Sequence, residues 1–172
     1  MEAQIATMLR SAKFDGGDNL VARAHAVIDR EMTKLAAAAR RRAVLGGLAK
    51  LGYEVRETMS TAWAQDGRLV IRKPDATDYG IELGASPDVS RLQVRLVGSE
   101  RPSAMRDARR DRDMETIWCS EFARLQDVLA ASGSEMVIER AVEVGVQPVK
   151  TVEFPDADPE VRRGRLQVQR RD

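Results

Sequence analysis

The sequence predicts an α+β fold, with an antiparallel sheet of about four to six strands covered by a long helix and an N-terminal helical arm. Three observations lead to this expectation. Apolar residues recur at helical spacing over residues 2–51, alternate with polar residues over 53–97, and return to helical spacing over 102–132. The resulting order is helix, strands, helix, strand, and the strands are close enough in sequence to pair as a meander.

The first element is a helical arm at residues 1–51. We predict a short helix over 2–13, a break at Gly16 and Gly17, and a long helix over 20–51 that ends at Gly52. Four apolar residues step along the long helix by about three, four or seven positions, and the remaining surface is mostly small or charged. These four residues are Val21, Ile28, Met32 and Leu35. Such a stripe fits a helix that pairs with a partner helix or one that lies on a sheet by a thin seam, and of the two we expect self-association.

The second part is an α+β domain at 52–154. Alternation predicts a strand at 53–57, a hairpin that turns at Asp66 and Gly67, and strands at 79–83 and 91–97. In the last of these, the apolar set faces the core and the polar set faces away. The apolar set is Leu92, Val94 and Leu96, and the polar set is Arg91, Gln93 and Arg95.

A second long helix follows the meander. It is predicted to start at Pro102 and Ser103 and to end before Gly133, with an apolar stripe in its second half. Two further strands are predicted at 136–141 and 149–154. Residues 155–172 are rich in Pro, Asp and Arg and are expected to form a flexible basic tail.

Composition and charge exclude several function classes. The 172 residues include 28 Lys and Arg and 27 Asp and Glu, so the net charge of +1 excludes a polycation that coats nucleic acid in bulk. One cysteine and one histidine exclude an internal disulfide and most zinc or histidine-based catalytic sites. We therefore expect no catalytic residues, no metal and no cofactor. The chain has no apolar run long enough to span a membrane, so we expect no membrane partner. Residues 1–14 lack the apolar core of a signal peptide and the single cysteine, Cys119, suits a reducing compartment, so we expect a cytoplasmic protein.

One alternative function is association with nucleic acid through arginines of the helix and the tail. Such contacts would be made to phosphates, and no aromatic residue lies among these arginines to stack on a base. Successive helical residues are about 100° apart, so the three helix arginines cannot all face one groove. The candidates are Arg40, Arg41, Arg42, Arg162, Arg163, Arg165, Arg170 and Arg171.

A second alternative is a degenerate relative of the metal-dependent nucleases of the PD-(D/E)xK type. Asp78 or Glu82 resembles the first metal-binding acid of that family, and Gln93 to Arg95 falls where its acid-x-Lys motif would lie. The order of elements is compatible with this resemblance. Gln in place of the acid weakens a magnesium site, and Arg cannot be deprotonated to activate water.

These observations together favour a protein without enzymatic activity. We expect an interaction module that self-associates through its N-terminal helix and acts as a component of a larger assembly. Its partner would be a second copy of the chain or another protein, with nucleic acid as the alternative partner.

Overall fold

The computed structural model describes residues 2–134 and 136–154. The predicted tail at 155–172 lies outside this range. Within the range, an α+β arrangement and an N-terminal helix are confirmed. The elements, in chain order, are α1 (Glu2–Lys50), α2 (Met59–Asp66), β1 (Arg68–Ile71), β2 (Tyr79–Ala85), β3 (Leu92–Ser99), α3 (Ala108–Ala131) and β4 (Lys150–Val152).

The four strands form one mixed sheet in the order β1-β2-β3-β4. β1, β2 and β3 pair antiparallel as the predicted meander, whereas β4 pairs parallel to β3. The expectation of a wholly antiparallel sheet of about four to six strands is therefore wrong for the described residues. The reason is the long connection through α3, because a crossover of about a dozen residues or more allows the chain to return parallel.

The core lies between one face of the sheet and all three helices. Its centre is formed by Leu48 of α1, Trp63 of α2, Ile71 of β1, Ile81 and Leu83 of β2, and Leu125 and Leu129 of α3. The sequence predicted that a single long helix covers the sheet. That prediction is wrong, because all three helices contribute residues to the core. The last turns of α1 bring Val44, Leu45 and Leu48 into the core at helical spacing.

The helix α2 replaces the predicted hairpin at Asp66 and Gly67. Gly67 has the expected positive φ of 65°, but it ends α2 by donating its N–H to the Trp63 carbonyl at 2.9 Å. A left-handed glycine serves a type I′ turn and a helix C-terminus equally well, so the local sequence did not distinguish them. The burial of Trp63 in the core favours the helix.

Helix α1 continues through Gly16 and Gly17, so the predicted break at these residues is wrong. A glycine in a helix interior costs about 1 kcal/mol relative to alanine, and the hydrogen-bonded turns on both sides maintain the helix at that cost. The strands predicted at 53–57 and at 136–141 are also wrong, because neither segment is a strand.

The start of α3 also differs from the prediction. Asp107 caps this helix by accepting a hydrogen bond from the Arg110 N–H at 2.8 Å. Ser103, the predicted start, instead donates its N–H and its hydroxyl to Asp78. The alternation of β3 is confirmed, since Leu92, Val94 and Leu96 are packed against the core while Gln93 and Arg95 are exposed.

Candidate functional site

The N-terminal helix extends beyond the core. Every residue from 19 to 36 is exposed, and Ala37 is the first buried residue of α1 within the described side chains. This exposed segment is about 27 Å long at 1.5 Å per residue. It therefore forms a free rod with solvent on all sides.

Six large apolar side chains lie along one side of this rod, and we call them the α1 stripe. They are Leu20, Val21, Val27, Ile28, Met32 and Leu35, and each is between 54% and 67% exposed. At about 100° per residue they fall within an arc of about 140°. The stripe includes all four residues for which the sequence predicted self-association, and it is wider than the sequence analysis suggested.

The α1 stripe does not face the protein's own core. Ala37, Val44 and Leu48 define the side of α1 that packs against the rest of the chain. The helical rotation places the centre of the α1 stripe about 150° away from that side. A straight helix therefore cannot bury the stripe on its own sheet.

The two flanks of the α1 stripe differ in charge. Arg23, Arg30 and Lys34 lie along one flank, where Lys34 also pairs with Glu31 at 2.7 Å. Asp29 lies along the other flank. Between residues 19 and 36, the α1 stripe thus has one cationic flank and one flank without Arg or Lys side chains.

The predicted arginine run does not form one surface. Arg40 donates to the Asp88 carbonyl at 2.9 Å, in the loop between β2 and β3. Arg41 is partly buried, and its Nε atom has no hydrogen-bond partner within the described residues. Arg42 is exposed. The tail candidates Arg162, Arg163, Arg165, Arg170 and Arg171 lie outside the described residues.

Asp78, the first acid of the nuclease alternative, ties the start of β2 to the loop before α3. Its buried Oδ1 accepts hydrogen bonds from the Ser103 N–H at 2.6 Å and the Ser103 hydroxyl at 2.8 Å. Its Oδ2 pairs with Arg110 at 3.3 Å. Burial alone would raise the pKa of Asp78, but these partners outweigh burial and hold the pKa below its ordinary value.

Glu82, the other candidate acid, lies in the middle of β2 and is buried under three cationic side chains. Arg95, its direct cross-strand partner, donates Nε at 2.5 Å, Lys150 donates Nζ at 3.3 Å, and Arg68 lies at 3.5 Å. Burial alone would raise the pKa of Glu82, but Arg95 and Lys150 lower it below its ordinary value.

This arrangement does not suit magnesium. A metal ion needs carboxylate oxygens that are free to coordinate it, whereas cationic groups already surround Glu82. Across residues 2–134 and 136–154, no group of three or more His, Cys, Asp or Glu side chains is placed to hold a metal ion. The Asp78 and Glu82 carboxylates instead act as structural ion-pair partners.

The structure contains two further polar clusters that the sequence did not predict. Glu121 of α3 accepts a hydrogen bond from the Tyr53 hydroxyl at 2.6 Å and pairs with Lys73. Asp111 of α3 accepts from the Tyr79 hydroxyl at 2.6 Å and pairs with Arg106 at 3.1 Å. Both clusters fasten α3 to the rest of the fold. No local pattern could reveal the Tyr53, Lys73 and Tyr79 contacts, because their partners lie far apart in the chain.

Comparison with known proteins gives no relative on which a function could be based. No family model, no curated protein and no solved structure matches this chain. Among the described residues, no helix has the length and apolar character needed to cross a membrane.

Proposed function

We propose that the protein is a non-enzymatic interaction module that self-associates through the α1 stripe. The observation that carries this proposal is a set of six large, exposed apolar side chains within one arc of a free helix, turned away from the protein's own core. Burying such side chains is favourable by about 25 cal/mol per Å² of apolar surface, and a second copy offers the same stripe. The α+β domain would then be presented beside its counterpart as part of a larger assembly.

The charge of the two flanks favours a parallel pair. In a parallel pair, the cationic flank, where Lys34 and Arg23 lie nearest the stripe, faces the partner's other flank, which carries no Arg or Lys among residues 19–36. An antiparallel pair would instead place the two cationic flanks against each other, and like charges across an interface are unfavourable.

The test is the oligomeric mass of the full chain, measured by analytical ultracentrifugation. We expect the native protein to sediment as a dimer or a higher oligomer. The double substitution Ile28→Asp and Leu35→Asp should give a folded monomer, because charges would then face each other across the paired helices.

A matched control places the same charges on the opposite side of the helix. The double substitution Ala22→Asp and Ala26→Asp has a similar effect on helix propensity but leaves the α1 stripe intact. This variant should keep the native mass. A native chain that stays monomeric at high concentration, or equal masses for both double variants, would contradict the proposal.

A further inference from the structure

The sheet face opposite the helices carries an ordered group of positive charges. Arg68, Arg95 and Lys150 come from β1, β3 and β4, and all three reach the buried carboxylate of Glu82 on β2. We call these four residues the sheet-face cluster. Because each strand contributes one residue and the three cations approach one carboxylate, their charged ends converge on a single point.

The cations of the sheet-face cluster exceed what Glu82 needs. Three positive charges around one negative charge leave a formal surplus of two, and Glu82 is the only acid paired with them in the part of the chain that the structure describes. The Glu82 side chain is 5% exposed, whereas those of Arg68, Arg95 and Lys150 are 62%, 43% and 41% exposed. The buried acid therefore holds three cations in place while their outer surfaces face solvent.

The cationic side chains of the cluster retain hydrogen-bond donors that could bind a ligand. Arg95 gives one hydrogen bond, from Nε, and Lys150 gives one, so each keeps further N–H groups without an acceptor among the described residues. Because Glu82 already holds these side chains in place, the entropic cost of ordering them on ligand binding is smaller.

A glycine lies beside the cluster on the same sheet face. Gly84 lies on the same face, opposite Arg68 on one side and Gln93 on the other. A Cβ atom built on Gly84 would meet nothing closer than the Gln93 side chain at 3.9 Å. Gly84 thus places no side chain between Arg68 and Gln93 that would obstruct a ligand.

We propose that the sheet-face cluster binds a phosphomonoester group. Such a group carries a charge of about −1.5 to −2 at neutral pH and three acceptor oxygens, which match a surplus of two positive charges and convergent donors. A phosphodiester carries a single negative charge and two free oxygens, and it leaves half of the surplus unmatched. This site is independent of the α1 stripe.

The experiment is calorimetric titration of the full chain at low ionic strength with three probes. Adenosine 5′-monophosphate and inorganic phosphate should bind, and adenosine should not. Binding should weaken as the pH falls from 7 to 5, since the second pKa of a phosphomonoester is about 6 and protonation removes half of its charge.

Variants identify the site. Arg68→Gln and Arg95→Gln should each weaken phosphate binding by tenfold or more, because each removes a charge-assisted contact. Arg91→Gln is the matched control, since Arg91 is exposed and lies just outside β3, and it should leave binding unchanged. Thermal unfolding of each variant shows whether it is folded. Because Arg68 is the most exposed of the three cations, Arg68→Gln should disturb folding least.

Three results would overturn the proposal. The first is the absence of phosphate binding at millimolar concentration, and the second is binding that both Gln variants retain. The third comes from oligonucleotides with and without a 5′-phosphate. If both bind equally and both lose binding in Arg95→Gln, the cluster contacts the nucleic-acid backbone and not a monoester.

Discussion

At the scale of single residues, two adjacent glycines near the end of α1 have different surroundings. A Cβ atom on Gly46 would meet nothing within 4 Å, whereas one on Gly47 would lie 2.6 Å from Leu125 Cδ1. Leu125 is fully buried in α3, so it has little freedom to move aside. Gly47 therefore lies in the contact between α1 and α3, and Gly46 lies outside it.

This difference gives a paired prediction. Gly46→Ala should raise the free energy of unfolding by about 1 kcal/mol, because alanine favours the helix. Gly47→Ala should be less stable than Gly46→Ala by about 1–3 kcal/mol, because the new methyl group overpacks the contact with Leu125. Urea denaturation measures both variants. Equal stabilities would show that α1 and α3 do not pack as closely at Gly47 as described.

At the scale of elements, Val21 can distinguish a parallel from an antiparallel pair of α1 helices. In a parallel pair, Val21 of each copy lies beside Val21 of the other. In an antiparallel pair centred on Ile28, Val21 faces Leu35 of the second copy, and the two Val21 residues are about 21 Å apart.

Disulfide formation distinguishes the two arrangements. We expect Val21→Cys, in a Cys119→Ser background because Cys119 is exposed, to form a covalent dimer under mild oxidation. A disulfide requires Cα atoms within about 7 Å, which only the parallel pair provides. Cross-linking that appears only when Val21→Cys and Leu35→Cys are combined would establish the antiparallel pair instead. Electrophoresis without reducing agent is the measurement.

At the scale of the whole molecule, three carboxylates join distant parts of the fold and should control its stability in acid. The pKa values of Asp78, Glu82 and Asp111 all lie below their ordinary values, because cationic and hydrogen-bonding partners outweigh the effect of burial. The unfolded state then binds protons more readily than the folded state. The three carboxylates therefore contribute their full stabilisation at pH values above their pKa in the unfolded state, which is about 4. This stabilisation is lost as the pH falls through their lower pKa values in the folded state.

Asp78→Asn tests this dependence. It should lower the free energy of unfolding at pH 7 by about 1.5–3 kcal/mol and should reduce the loss of stability between pH 5 and pH 3. Asp75→Asn is the matched control, because Asp75 is exposed and makes no ion pair within the described residues. Urea denaturation at several pH values gives both quantities. An unchanged pH dependence in Asp78→Asn would mean that Asp78 is not ionised and paired as described.

Features of the fold that depend on local periodicity can be predicted from the sequence alone. The alternation of β3, the apolar side of α3 and the apolar residues of the long N-terminal helix can all be read from spacing, because side chains on one face recur at a fixed interval. The end of α3 just before Gly133 follows in the same way from local backbone preference, since Gly133 has a φ of 79°.

The other features depend on contacts between elements that lie far apart in the sequence. The local signal at Gly67 fits a hairpin and a helix end equally, and it was the burial of Trp63 that favoured α2. The sheet-face cluster joins residues from four strands, with Glu82 and Lys150 lying 68 positions apart. Whether the α1 stripe faces the core or solvent likewise depends on which side of α1 meets the sheet. Such contacts follow from packing between distant elements, and no local pattern of residues encodes them.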